Sequence, residues 1–100
     1  MAIELTEASF DDAVKSGTVL IDFWAPWCGP CRMQGPILDD VAEQVGDAAT
    51  VAKVNVDEAP GVAAKFGVRS IPTLIILKDG EVDKQFVGVQ QASVLVEALS

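Results

Sequence analysis

The chain reads as one α/β domain spanning residues 1–100, a mixed sheet of about five strands flanked by about four helices on both faces. Three observations predict this architecture. Apolar, β-branched runs alternate with segments of helical period from end to end. One run, "TVLIDFWA", is apolar almost throughout, as expected of a strand covered on both faces of a parallel sheet. Two later runs are separated by Asp79-Gly80, the strongest short signal of an antiparallel hairpin.

The elements follow in order. "AIEL" (2–5) is a short strand, and Thr6 is the expected N-cap of a helix carrying Phe10, Ala13 and Val14 on one face, closed by Gly17. "TVLIDFWA" (18–25) is the second strand. Beyond the cysteines, Met33, Ile37, Val41 and Val45, supported by Leu38 and Ala42, form a helical stripe that stops at Gly46. Pro36 interrupts that helix and should bend it. "TVAKVNV" (50–56) is a strand, and "PGVAAKF" (60–66) a short helix with Pro60 near its first turn and Gly67 past its end. "TLIILK" (73–78) and "EVDKQFVG" (81–88) make the hairpin, and Val94, Leu95 and Leu99 fall at helical spacing in the tail. The order is β-α-β-α-β-α-β-β-α, without a linker or repeat.

Composition narrows the function. Half the residues are apolar, and a chain this long buries roughly 65% of its unfolded surface, enough for a core without a covalent staple. Fifteen acidic against seven basic residues give a net charge of −8, a field that repels phosphate backbones and anionic lipid; nucleic acid and membrane are poor partners. There is no histidine, which removes the commonest general base and neutral metal ligand. The acidic start, "MAIELTEASFDD", does not read as a secretory signal, and no run approaches the ~20 apolar residues of a membrane span. The expectation is a soluble, cytoplasmic protein, where a CxxC pair points to redox or metal chemistry rather than a permanent crosslink.

Both cysteines lie in "WAPWCGPC" (24–31), and four readings compete for them. Core filling suits one cysteine better than two, and Gly29-Pro30 between them is turn and helix-start chemistry. A zinc site needs four ligands and the chain supplies two, so only a site shared between chains meets the requirement. A structural staple closing so small a loop removes little unfolded-state entropy. A redox centre fits best. The segment follows a strand and opens a helix, so Cys28 sits among unpaired backbone N–H groups at the positive end of the macrodipole, which favour a thiolate. Cys31 lies one turn further on the same face, at roughly 5 Å between Cα atoms, within disulfide range. Cys28, at the exposed tip, should attack a substrate disulfide, and the shielded Cys31 should resolve the mixed disulfide.

The WCGPC motif in a strand–turn–helix resembles the thioredoxin family of small dithiol carriers, and the resemblance covers essentially the whole chain. It implies the thioredoxin fold and a monomeric protein-disulfide reductant cycling between a Cys28/Cys31 dithiol and disulfide. No bound cofactor is implied. Partners would be disulfide-containing proteins, with a flavin-dependent thioredoxin reductase as electron donor. Two alternatives stand beside this reading. A thioredoxin-fold disulfide oxidase or isomerase is disfavoured by Gly29-Pro30, because such enzymes more often carry histidine there, whose charge stabilises the thiolate further. A non-catalytic binding module would keep its partner without either cysteine.

Further residues belong to the candidate site. Asp22 interrupts an apolar strand on the face of Leu20 and Trp24. It is either a carboxylate touching water at a bulge or strand end, or a buried acid of raised pKa below the cysteines. The resemblance implies the second, as a proton relay to the buried sulfur. Lys53 is a snorkelling surface lysine or, by resemblance, a neighbour that lowers the pKa of that acid. Pro72 in "SIPT" suits an ordinary turn before a strand, whereas the resemblance implies a cis Ile71-Pro72 bond facing the cysteines and backbone groups free to pair with an extended substrate. Trp27, Gly29, Pro30, Val56, Ile71, Val87 and Gly88 match positions around the family's active site. Val56 and Val87 read equally well as core. Gly88 is expected where a side chain would block backbone approach. Gly35 and Ser70 depart from the alanine and glycine common in the family.

Overall fold

The computed structural model describes residues 1–100. Its elements are β1 (Ile3–Leu5), α1 (Phe10–Val14), β2 (Thr18–Trp24), α2 (Gly29–Val45), β3 (Thr50–Asn55), α3 (Pro60–Lys65), β4 (Thr73–Lys78), β5 (Glu81–Val87) and α4 (Ala92–Leu99). The five strands form one sheet in the order β1-β3-β2-β4-β5. β1, β3 and β2 run parallel, and β4 and β5 are antiparallel to their neighbours. This is the mixed sheet expected from the sequence.

Side-chain alternation along β2 builds two cores. Val19, Ile21 and Phe23 join Phe10 and Val14 of α1 and Val62 and Ala63 of α3 on one face. Leu20, with Leu74 and Ile76 of β4, packs against Leu38 and Val41 of α2 and Leu95 and Leu99 of α4 on the other. The helices therefore divide two and two between the faces. Each fully covered leucine or phenylalanine contributes about 1.5–3 kcal/mol relative to exposure, so the central strand anchors both layers.

Several local expectations are corrected. Met33 is 66% exposed, because the buried stripe of α2 runs through Cys31, Gln34, Leu38 and Val41; a buried glutamine takes the place assigned to methionine. The first helix starts at Phe10 rather than directly after Thr6. The Thr6 hydroxyl instead accepts from Ser9 N–H while Thr6 N–H donates to Ser9 Oγ, a reciprocal turn ahead of the helix. A short 3-10 turn at Gly46–Ala48 follows α2 where the sequence signals only a helix stop. In the β4–β5 hairpin, Asp79 and Gly80 both take positive φ, 51° and 85°, as a two-residue type I′ connection requires. Asp79 also ties the hairpin back to the α1–β2 turn, accepting from Gly17 N–H at 2.8 Å and donating its own N–H to Gly17 O.

The topology gathers four chain segments at one end of the sheet. β2 and β3 both finish there, at Trp24 opposite Asn55. β4 begins there, with Thr73 beside Phe23 of β2 and Val87 of β5. The segments after β2, β3 and β5 and the one before β4 are consequently neighbours, although up to about 60 residues separate them in the chain. Parallel strands commonly present their sites at this carboxyl end.

Candidate active site

The cysteines sit where β2 hands the chain to α2. Cys28 is the N-cap of α2 in an extended conformation, with Gly29 and Pro30 as the first helical residues. Pro30 is tolerated because the first turn of a helix has no use for its missing N–H. Cys28 and Cys31 are joined as a disulfide with their Cα atoms 5.2 Å apart. The N–H of Cys31 donates to Cys28 Sγ at 3.2 Å. When the disulfide opens, that donor and the helix N-terminus point at the Cys28 sulfur and favour its thiolate. No such donor is directed at Cys31 Sγ, so the two sulfurs differ by position.

Exposure does not separate them as expected. Cys28 is 6% and Cys31 3% accessible, and both pack with Ala25 under the partial cover of Trp24, Val56 and Ile71. In the disulfide form Cys28 is a buried residue at the rim of a covered pair, with its Sγ 3.8 Å from Ile71 O.

The loops around the pair hold the other candidates. Ile71-Pro72 is cis, and Pro72 O accepts from Gly88 N–H at 2.8 Å, which joins the segments before β4 and after β5. Val87 is 61% exposed, so it is not core; Val56 is half-buried against the cysteine cluster. Gly88 has φ of 90°, yet a Cβ there would meet nothing within 4 Å. Within the chain its glycine answers to backbone conformation. Trp27 is 68% exposed, and its indole N–H donates to Asp57 Oδ2 at 2.8 Å. An indole left in water is thereby held in one orientation, on the residue that precedes Cys28.

Below the loop, Asp22 is fully buried. Its register partners are Lys53 on β3 and Leu74 on β4, and neither of its carboxylate oxygens has a hydrogen-bond partner. Burial pushes its pKa up to about 7; Lys53 opposes the rise and Glu4 adds to it. Glu4, Lys53 and Asp22 lie in one row across β1, β3 and β2. The Lys53 ammonium stands 4.2 Å from the centroid of the Trp24 ring, whose Nε1–H donates to Glu4 Oε2.

Sequence reasoning missed Glu4, Asp57 and Gln34. Asp57 and Glu4 reach the site only through strand order, which puts β3 beside β2 and β1 on the far side of β3. Gln34 had a signal: it falls three residues after Cys31 on the helical face that continues to Leu38 and Val41.

A mixed five-stranded sheet, two helices on each face and a Cys-Gly-Pro-Cys disulfide at a strand–turn–helix junction define a thiol–disulfide oxidoreductase. The family model described as Thioredoxin matches residues 1–100. Among individual proteins, the chain is 46% identical over 100 residues to a thioredoxin of Listeria monocytogenes, covering 100% of this chain and 97% of that one. It is 48% identical over 101 residues to thioredoxin 1 of Synechococcus elongatus, covering 99% and 94%, and 47% identical over 97 residues to a thioredoxin of Staphylococcus saprophyticus, covering 97% and 93%. The chain belongs to the thioredoxin family, and its chemistry is thiol–disulfide exchange through Cys28 and Cys31. No helix is long and apolar enough to cross a membrane.

Proposed function

We propose that this protein, acting as a single-domain monomer in the cytoplasm, reduces disulfides in other proteins and is itself re-reduced by a flavin-dependent thioredoxin reductase. The Cys28 thiolate attacks one sulfur of the substrate disulfide; that S–S bond breaks, a mixed disulfide forms and the first substrate thiolate leaves. Cys31 then loses its proton and attacks Cys28 Sγ, which releases the second substrate thiolate and closes the Cys28–Cys31 disulfide. Two electrons pass to the substrate. Asp22 is the group assigned to take the Cys31 proton, with Lys53 holding its pKa from rising further. Trp27, Val56, Ile71, Val87 and the backbone at Gly88 form the surface on which an extended substrate segment docks.

One observation carries the reductant direction. The Cys28 sulfur receives a single backbone N–H, and the residues between the cysteines, Gly29 and Pro30, supply no charge. The thiolate is stabilised moderately, which leaves the dithiol a willing electron donor. Equilibrating the pair against a glutathione buffer at neutral pH tests this. A potential below about −230 mV is expected; a value above about −190 mV would make the protein an oxidant.

A further inference from the structure

We propose that Gln34 is a positioning residue for partner docking: its carboxamide fixes the Val87–Gln90 segment of the docking surface to the helix that carries the cysteines. The proposal rests on the protein-disulfide reductant reading above.

Gln34 is fully buried, and its carboxamide is spent on the backbone of one residue. Its Nε2 donates to Gln90 O at 3.0 Å, and its Oε1 accepts from Gln90 N–H at 2.7 Å. A side chain that buries a polar group and pairs both its nitrogen and its oxygen at one distant residue specifies the position of that residue. Gln34 stands three residues after Cys31 in α2, on the same helical face. Gln90 stands two residues after Gly88, and its own side-chain Nε2 donates to Gly88 O at 3.3 Å. Gly88 N–H in turn donates to Pro72 O, and Ile71 O lies against Cys28 Sγ. The cysteine helix, the β5–α4 segment and the cis-proline loop thus form a closed circuit, in which Gln34 is the only side chain tying α2 to the β5–α4 segment by hydrogen bonds.

An apolar residue would fill the same space. Neighbouring α2 positions facing α4 do so with Leu38 and Val41. What an apolar residue cannot do is hold Gln90, whose N–H and C=O would need water and a shifted backbone. Val87 and Gly88, the docking residues immediately upstream, would shift with it. The sulfurs, held by α2 itself, would not.

The test uses Gln34→Met, which keeps length without hydrogen bonds, and Gln34→Leu as a second shape in case one variant fails to fold. Reduced proteins are mixed with insulin and, separately, with the small disulfide 5,5′-dithiobis(2-nitrobenzoate), and the Gln90 amide exchange of the wild type is followed by NMR. The half-saturating insulin concentration should rise about three- to tenfold, with the maximal rate, the small-disulfide rate and the reduction potential unchanged. In the wild type the Gln90 amide should exchange as slowly as the amides of β4. Equal losses with both substrates, an unchanged insulin response in a folded variant, or fast Gln90 exchange in the wild type would overturn the proposal. Wild-type protein that reduces the small disulfide but not insulin would instead remove the reductant reading, and the proposal with it.

Discussion

Asp22 and Lys53 face each other as register partners across β2 and β3, yet no group hydrogen-bonds to the Asp22 carboxylate. The lysine supplies attraction without contact, and its ammonium spends part of its field on the Trp24 ring. Desolvation therefore outweighs attraction, and the acid holds its proton to near neutral pH.

This makes stability depend on pH with a definite sign. The folded pKa of Asp22, about 7, lies above the ordinary 3.8, so between these values the native state binds more protons than the unfolded state and stability falls as pH rises. The cost is absent below 3.8, grows to about pH 7 and is constant beyond. Denaturant unfolding of the oxidised protein, in which the cysteines do not titrate, should show about 3 kcal/mol less stability at pH 8 than at pH 5. Asp22→Asn should flatten that slope and exceed the wild type at pH 8. Parallel profiles for the two proteins would contradict it.

The same substitution separates the two chemical steps. Attack by Cys28 needs a thiolate that the Cys31 N–H and the helix terminus already favour, whereas Cys31 must lose a proton inside the covered cluster. Asp22→Asn should slow resolution of a mixed disulfide by about tenfold or more at pH 7 and leave the first attack within about twofold. Stopped-flow mixing that resolves formation and decay of the mixed disulfide measures both. Equal rates in both steps would remove Asp22 from the mechanism.

Periodicity and turn chemistry made most of the fold legible, because each signal is local: alternation in "TVLIDFWA", positive-φ residues at Asp79-Gly80, Pro60 opening α3. The cysteine spacing was equally local. What escaped was non-local or concealed by residue type. Glu4 and Asp57 join the site through sheet order, which no window of residues encodes. Met33 and Gln34 exchanged roles because hydropathy favours methionine for the interior, whereas the α2–α4 side of the structure had a backbone residue, Gln90, to satisfy. The covered state of Cys28 depends on Val56 and Ile71 arriving from the segments after β3 and before β4.

Gly80 isolates a stability effect from the chemistry. With φ at 85°, it occupies a region where a Cβ is disfavoured, and the nearest atoms to such a Cβ, the carbonyl oxygens of Val14 and Lys15 at 3.8 Å, impose no clash. Gly80→Ala should therefore cost about 1–2 kcal/mol from conformation alone. The hairpin lies at the end of the sheet opposite the cysteines, so the exchange rate should stay that of the wild type. Urea unfolding and insulin reduction on one preparation check both halves; a loss of rate with intact folding would contradict the separation.

Trp27 and Asp57 supply the last prediction. An indole 68% exposed would ordinarily sample several rotamers in water, and ordering it on binding would cost affinity. The hydrogen bond to Asp57 Oδ2 meets that cost in advance and fixes the ring on the residue that precedes Cys28. Asp57→Ala should free the ring and lower insulin reduction at subsaturating concentration by about threefold, with faster exchange of the Trp27 indole N–H seen by NMR. Asp57→Asn keeps an oxygen acceptor at the same place and should restore most of both. If alanine and asparagine behave alike, the aspartate acts through its charge and not by holding the indole.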